Sequence, residues 1–173
     1  VSALGVSQAD QEGQFVPRVW GVASGSFTQP SLAQQAYLIN LQECSAGHVD
    51  GYGTTRLFVT TGRRVVFSAD SLPANRIDAV VDVNGDGINE LITTKGFTNQ
   101  GYTTVSADLL SLANGENRHL LEFPEVYVGA CGTLAANVTA TMAQITYYPK
   151  RFSNNPVFEV THYEAPCEVS DTE

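Results

Sequence analysis

Apolar residues in this chain fall in short runs rich in Val, Ile, Thr, Tyr and Phe, each bounded by Gly, Asn, Asp or Pro. Runs of that kind are strand signals, and the three-to-four residue recurrence of an amphipathic helix is nearly absent. The pattern predicts strands over Arg18–Val22, Gln35–Leu41, Thr54–Thr60, Arg64–Ser68 and Ile77–Val81. It predicts five more over Glu90–Thr94, Thr103–Leu112, His119–Phe123, Ala143–Tyr148 and Val157–Tyr163. Thr60–Arg63 and Ala113–Glu116 read as hairpin turns, because Gly62 and the pair Asn114-Gly115 accept the positive φ that tight turns need. Only Ser31–Gln35 offers a turn of helix.

The hairpins repeat. Ala36-Tyr37-Leu38-Ile39 leads through Gly51-Tyr52-Gly53-Thr54 into Arg56-Leu57-Phe58-Val59. Glu90-Leu91-Ile92-Thr93 leads through Gly101-Tyr102-Thr103-Thr104 into Ala107-Asp108-Leu109-Leu110. A fainter third copy holds Ala143-Gln144-Ile145-Thr146 and Val157-Phe158-Glu159-Val160, and Ile39, Ile92 and Ile145 stand 53 residues apart. A period near fifty with several strands per unit predicts an all-β fold of about three degenerate, blade-like antiparallel sheet repeats, a partial or distorted β-propeller-like array with little helix. Three blades fall short of the usual four to eight, so the expectation includes sheet edges that pair with another copy of the chain, a homo-oligomer. The repeat domain spans 15–167, with a flexible lead-in at 1–14 and a solvated tail at 168–173.

The densest chemistry lies in the turn before the middle repeat, Asp82-Val83-Asn84-Gly85-Asp86-Gly87-Ile88-Asn89-Glu90. Calcium takes six to eight hard oxygen ligands, and alternate residues of a curled loop can aim side-chain oxygens at one centre. The spacing assigns Asp82, Asn84 and Asp86 as side-chain ligands, Ile88 as a carbonyl ligand and Glu90 as the closing acid. It is not an EF-hand: the twelfth position from Asp82 is Thr93, and strands rather than helices flank the loop. The motif resembles the FG-GAP and VCBS type calcium loops of integrin-like β-propellers, whose blades carry D-x-[DN]-x-D-G-x-x-[DE] before an apolar strand. The resemblance covers this loop and its flanking strands, and implies a structural Ca2+ in the middle repeat. The corresponding turns before the other two copies, Gly25–Ser31 and Gly132–Asn137, carry no acid.

A net charge of -9 argues against a nucleic-acid partner, which needs clustered Lys and Arg. No apolar run reaches the length of a membrane span, and Val1–Val6 is not a charged, apolar signal sequence. Cys44, Cys131 and Cys167 have no metal or redox spacing. Cys131 with Cys167 would pin the last strand to the third repeat, and Cys44 with Cys131 is equally permitted. One disulfide, a calcium loop of modest affinity and a composition low in Lys and Met predict an extracytoplasmic location, periplasmic or secreted.

Catalytic signatures are scarce. Cys44, His48 and Asp50 share one Gly-containing loop, and a hydrolase built on His48 and Asp50 is the alternative reading. No nucleophile elbow, Walker loop, dinucleotide fingerprint or zinc spacing occurs. Tyr52 and Tyr102 hold matching places after Gly51 and Gly101, and tyrosines in glycine-rich loops make good anchors for a protein or a glycan. The expectation is a calcium-stabilised, non-catalytic binding or scaffold module with Tyr52 and Tyr102 in its ligand-binding surface.

Overall fold

The computed structural model describes residues 17–41, 54–131, 138–148 and 156–167. It is all-β, with ten strands in two antiparallel sheets. β1 (Arg18–Gly25), β2 (Gln34–Leu41), β3 (Thr54–Thr61) and β4 (Arg64–Ala69) make the first sheet, in chain order. The second holds β5 (Arg76–Val81), β6 (Glu90–Asn99), β7 (Tyr102–Ser111), β8 (Arg118–Gly129), β9 (Thr139–Tyr148) and β10 (Val157–Pro166), again in chain order. Within each sheet every strand pairs with its sequence neighbour, the common outcome for consecutive strands, so both sheets are meanders. Ser31–Gln35 forms no helix. Ser31 takes a left-handed φ of 59° and Gln34 opens β2, its side chain turned back onto the Phe27 and Thr28 amides.

Strand alternation builds two cores. Leu38, Leu57 and Val59 of the first sheet meet Val80, Leu91 and Leu110 of the second, around Phe27 and Leu112. The residues between them on the second sheet, Val81, Ile92 and Leu109, point the other way into a second cluster with Val83 and Phe123. The six-stranded sheet curls over that cluster into a half-barrel, bringing Ile145 and Tyr147 of β9 and Phe158 of β10 against it. The rings of Phe123 and Phe158 meet edge to face, with centroids 5.3 Å apart. A fully buried leucine contributes about 2 to 3 kcal/mol of transfer free energy, so residues such as Leu38 and Leu91, both fully buried, carry much of the sandwich. The edge strands β1 and β5 touch where a Cβ on Gly21 would come within 3.3 Å of the Ile77 nitrogen. A side chain there would press on Ile77 by a few tenths of an ångström.

Two hairpins, one in each sheet, pair with the same offset. Leu38 pairs with Leu57 across β2 and β3, and Leu91 with Leu110 across β6 and β7. The match ends there: Leu38 faces Gly21 and Leu57 faces Ala69, whereas Leu91 faces Val80 and Leu110 faces His119, pairs that no 53-residue shift relates. The third copy makes no sheet of its own among the described residues. Val160 pairs with Ile145, and β9 joins the second sheet through Tyr127–Met142, Val128–Thr141 and Gly129–Ala140. The physical reason is the length of β8, whose far end leaves a free edge that the β9–β10 hairpin extends. Where the sequence predicts three units, the structure has two sheets.

Candidate metal centre

The acidic loop joins β5 to β6 at the junction of the two sheets. Val81 pairs with Glu90 and closes its base. Asp82 organises the turn. Its Oδ1 accepts the Gly85 and Asp86 N–H groups at 2.7 and 3.2 Å, and its Oδ2 accepts the Gly87 N–H at 2.9 Å. Asn84 Oδ1 accepts the Asp86 N–H at 2.9 Å, and Asn84 Nδ2 donates to Asp86 Oδ2 at 3.0 Å. Asp86 Oδ1 accepts the Ile88 N–H at 2.7 Å. Gly85 and Gly87 hold φ values of 78° and 81°, which side chains with a Cβ rarely adopt.

Glu90 is the buried member of the set, 1% exposed. Val83 N–H donates to its Oε2 at 3.0 Å. Burial pushes the Glu90 carboxyl above the usual range, and the negative charges of Asp86 and Asp82 push it further, against hydrogen bonds from Val83 and Ser111. The Tyr147 hydroxyl donates to the Val83 carbonyl at 2.8 Å, tying the loop to β9. Ile88 is buried beside it. On its other side the loop grips the first sheet: Asn89 N–H donates to Ser26 O at 2.6 Å, and Ser26 N–H to Asn89 Oδ1 at 2.7 Å. A Cβ on Gly87 would stand 3.2 Å from that of Pro30.

No lysine, arginine or histidine among the described residues pairs with Asp82, Asp86 or Glu90. Nor do three His, Cys, Asp or Glu side chains among them gather in metal-holding geometry. Each loop carboxylate is instead turned onto backbone N–H groups, and the other candidate donors are the Asn84 amide and the Ile88 carbonyl. Chemically the loop is a set of hard oxygen donors carrying three acids, with no counter-charge from the described residues.

The acid-free turn between β1 and β2 has the same construction. It also spans eight residues between paired ends, Gly25 with Gln34, and Gln34 Oε1 accepts the N–H of Phe27, seven residues earlier, at 2.8 Å. Gln34 thus stands in for Glu90 without the charge, and Ser26, Thr28 and Pro30 replace Asp82, Asn84 and Asp86.

Tyr102 is 58% exposed at the tip of the β6–β7 hairpin, beside Gln100 and Gly101 with positive φ. Tyr52, Cys44, His48 and Asp50 lie outside the described residues, as do the lead-in at 1–14, the tail at 168–173 and the turn Gly132–Asn137. Cys131 and Cys167 form a disulfide. A charged group that sequence reading overlooked sits on β6–β8. The carboxylate of Asp108, a residue 5% exposed, meets His119 Nε2 at 2.7 Å and Lys95 Nζ at 3.4 Å, and Lys95 also reaches Glu122 at 3.1 Å. Burial works against the Lys95 charge, but Glu122 and Asp108 outweigh it and raise its pKa. Counting pairs outward from the Ala113–Glu116 turn would have brought Asp108, His119 and Glu122 together, and counting from the Asn99–Tyr102 turn would have added Lys95.

Comparison with protein-family models, with curated proteins and with solved structures finds no match.

Proposed function

We propose that this chain is a calcium-stabilised binding or scaffold module that works outside the cytoplasm, with a protein or glycan as partner. One observation carries the reading: Asp82, Asp86 and Glu90 crowd one turn with no cation beside them among the described residues, and that turn meets the β1–β2 turn at Ser26 and Pro30. Bound Ca2+ would supply the missing positive charge through Asp82, Asn84, Asp86, Ile88 and Glu90. Holding this turn also holds the junction between the sheets, a structural role. The two hairpins that share a Leu–Leu offset support a descent from blade-like repeats. Tyr102, exposed at a hairpin tip, supports recognition over catalysis. The disulfide suits a periplasmic or secreted setting, and the outer edge of β10 is where a second copy would pair.

The test is thermal unfolding of chelator-stripped protein with calcium or magnesium titrated in. A saturable rise in Tm, larger with calcium, is expected; at a hundredfold excess over Kd it corresponds to about 2.7 kcal/mol. Identical curves with and without calcium would overturn the metal reading.

A further inference from the structure

A cleft of about 400 Å³ opens between β6, β7 and β8, away from the acidic loop. Pro73, Phe97, Val105 and Pro124 form its apolar walls, and Lys95 and Glu125 bring charge to it. That volume lies within the range of small-ligand and side-chain pockets.

Its charges are unequal in availability. Lys95 is already met by two carboxylates, Asp108 and Glu122. Glu125 has no ion pair or hydrogen bond among the described residues. With Lys95 set against Asp108, Glu122 and Glu125, the cleft and its border carry a net charge of -2 with His119 neutral.

The backbone here is distorted in a way that puts Glu125 at the cleft. Val105 pairs with Tyr127 and Ala107 with Phe123, so four steps along β8 oppose two along β7. The surplus residues bulge out after Pro124, and Glu125 takes a left-handed φ of 53°. A non-glycine residue there costs on the order of 1 kcal/mol, and bulges commonly re-aim a side chain towards a site.

We propose that this cleft receives an arginine side chain from a basic protein partner. An arginine has an aliphatic stem for the Pro73, Val105 and Pro124 walls and a planar cation that can pair with the Glu125 carboxylate. The net charge of -9 adds long-range attraction for a basic partner. This deepens the binding-module reading by naming what the partner presents, and it is independent of the calcium loop.

The experiment titrates the ¹⁵N-labelled full chain, with calcium and with chelator, against N-acetyl-arginine methylamide and its neutral counterpart N-acetyl-norleucine methylamide. Saturable shifts confined to amides around Lys95, Phe97, Val105 and Glu125 are expected from the arginine probe alone, under both calcium conditions. Two variants separate charge from backbone, since Asn and Asp both tolerate a left-handed φ. Glu125→Asn should weaken binding about tenfold, the scale of a charge-assisted pair, whereas Glu125→Asp should retain it. Absence of shifts, equal shifts from the norleucine probe, or unaltered binding in Glu125→Asn would overturn the proposal. Tighter binding of butylguanidinium than of the capped arginine would also overturn it, by pointing to a free small cation. Loss of the calcium-dependent Tm rise with retained arginine binding would strike the calcium reading alone.

Discussion

Glu90 closes the acidic loop by accepting the backbone N–H of Val83, seven residues earlier, at 3.0 Å. Gln34 does the same for Phe27 in the first sheet, yet the two side chains enter different cores. Gln34 precedes Leu38 by four residues and shares its face; Glu90 precedes Leu91 by one and faces away. A difference of three residues is odd, and side chains alternate faces with period two. The charged copy of this device therefore points into the half-barrel, beneath Tyr147.

Replacing Glu90 separates its hydrogen bond from its charge. Glu90→Gln keeps an acceptor for Val83 and removes a buried negative charge, so chelated protein should be at least as stable as wild type at neutral pH. The calcium increment should vanish. Glu90→Ala should cost about 1 to 3 kcal/mol with chelator, because the Val83 N–H is left buried without a partner, and with calcium should lose the calcium increment as well. Urea unfolding of the three proteins with chelator and with calcium checks this. An unchanged calcium increment in Glu90→Gln would remove Glu90 from the ligand set.

The pH dependence of metal-free protein follows from the same residue. The Glu90 pKa is raised from its ordinary 4.5, so the native state holds this proton more tightly than the unfolded chain does. Stability should therefore fall as pH rises from 4.5 through the folded-state pKa, then level off. Calcium neutralises the carboxylates and should flatten that decline, so its stabilising effect grows with pH across the same window. Chemical denaturation at several pH values, with Glu90→Gln as the reference, measures the difference.

The core shared by the two sheets makes a paired prediction. Leu38→Ala and Leu91→Ala empty corresponding, fully buried positions on opposite sheets of one core. Each should cost about 2 to 5 kcal/mol, against less than about 0.5 kcal/mol for Val65→Ala on an exposed strand. Urea midpoints at unchanged m would report it. A near-neutral Leu91→Ala would contradict the shared core.

The Cys131–Cys167 bridge ties β10 back to the end of β8 across 36 residues, and the Cys167 N–H donates to Val138 O at 3.0 Å beside it. The double replacement Cys131→Ser with Cys167→Ser should lower stability by about 4 kcal/mol by loop-closure entropy. Unfolding of the oxidised wild type beside the double variant tests it. A loss well below about 1 kcal/mol would mean that the β9–β10 hairpin contributes little to the cooperative unit.

Local patterning was enough to place all ten strands, because β-branched runs and positive-φ turn residues such as Gly62 and Asn114-Gly115 act over a few residues. The same holds for the acidic loop, whose Asp82, Asn84 and Asp86 engage one another's backbone within five positions. The 53-residue spacing of Ile39, Ile92 and Ile145 was legible as a pattern, but in the sheets only the Leu38–Leu57 and Leu91–Leu110 pairings share an offset. What the sequence did not contain was which strands share a sheet. Ile145 reads like a third unit, yet β9 joins the second sheet because the long β8 presents an edge and pairing with it satisfies backbone groups. Pairing across turns also made neighbours of Lys95, Asp108, His119 and Glu122, and the bulge after Pro124 brought Glu125 to its cleft. Those relationships depend on register and curl, set by long-range packing, and a single strand's pattern specifies only which of its two faces is apolar.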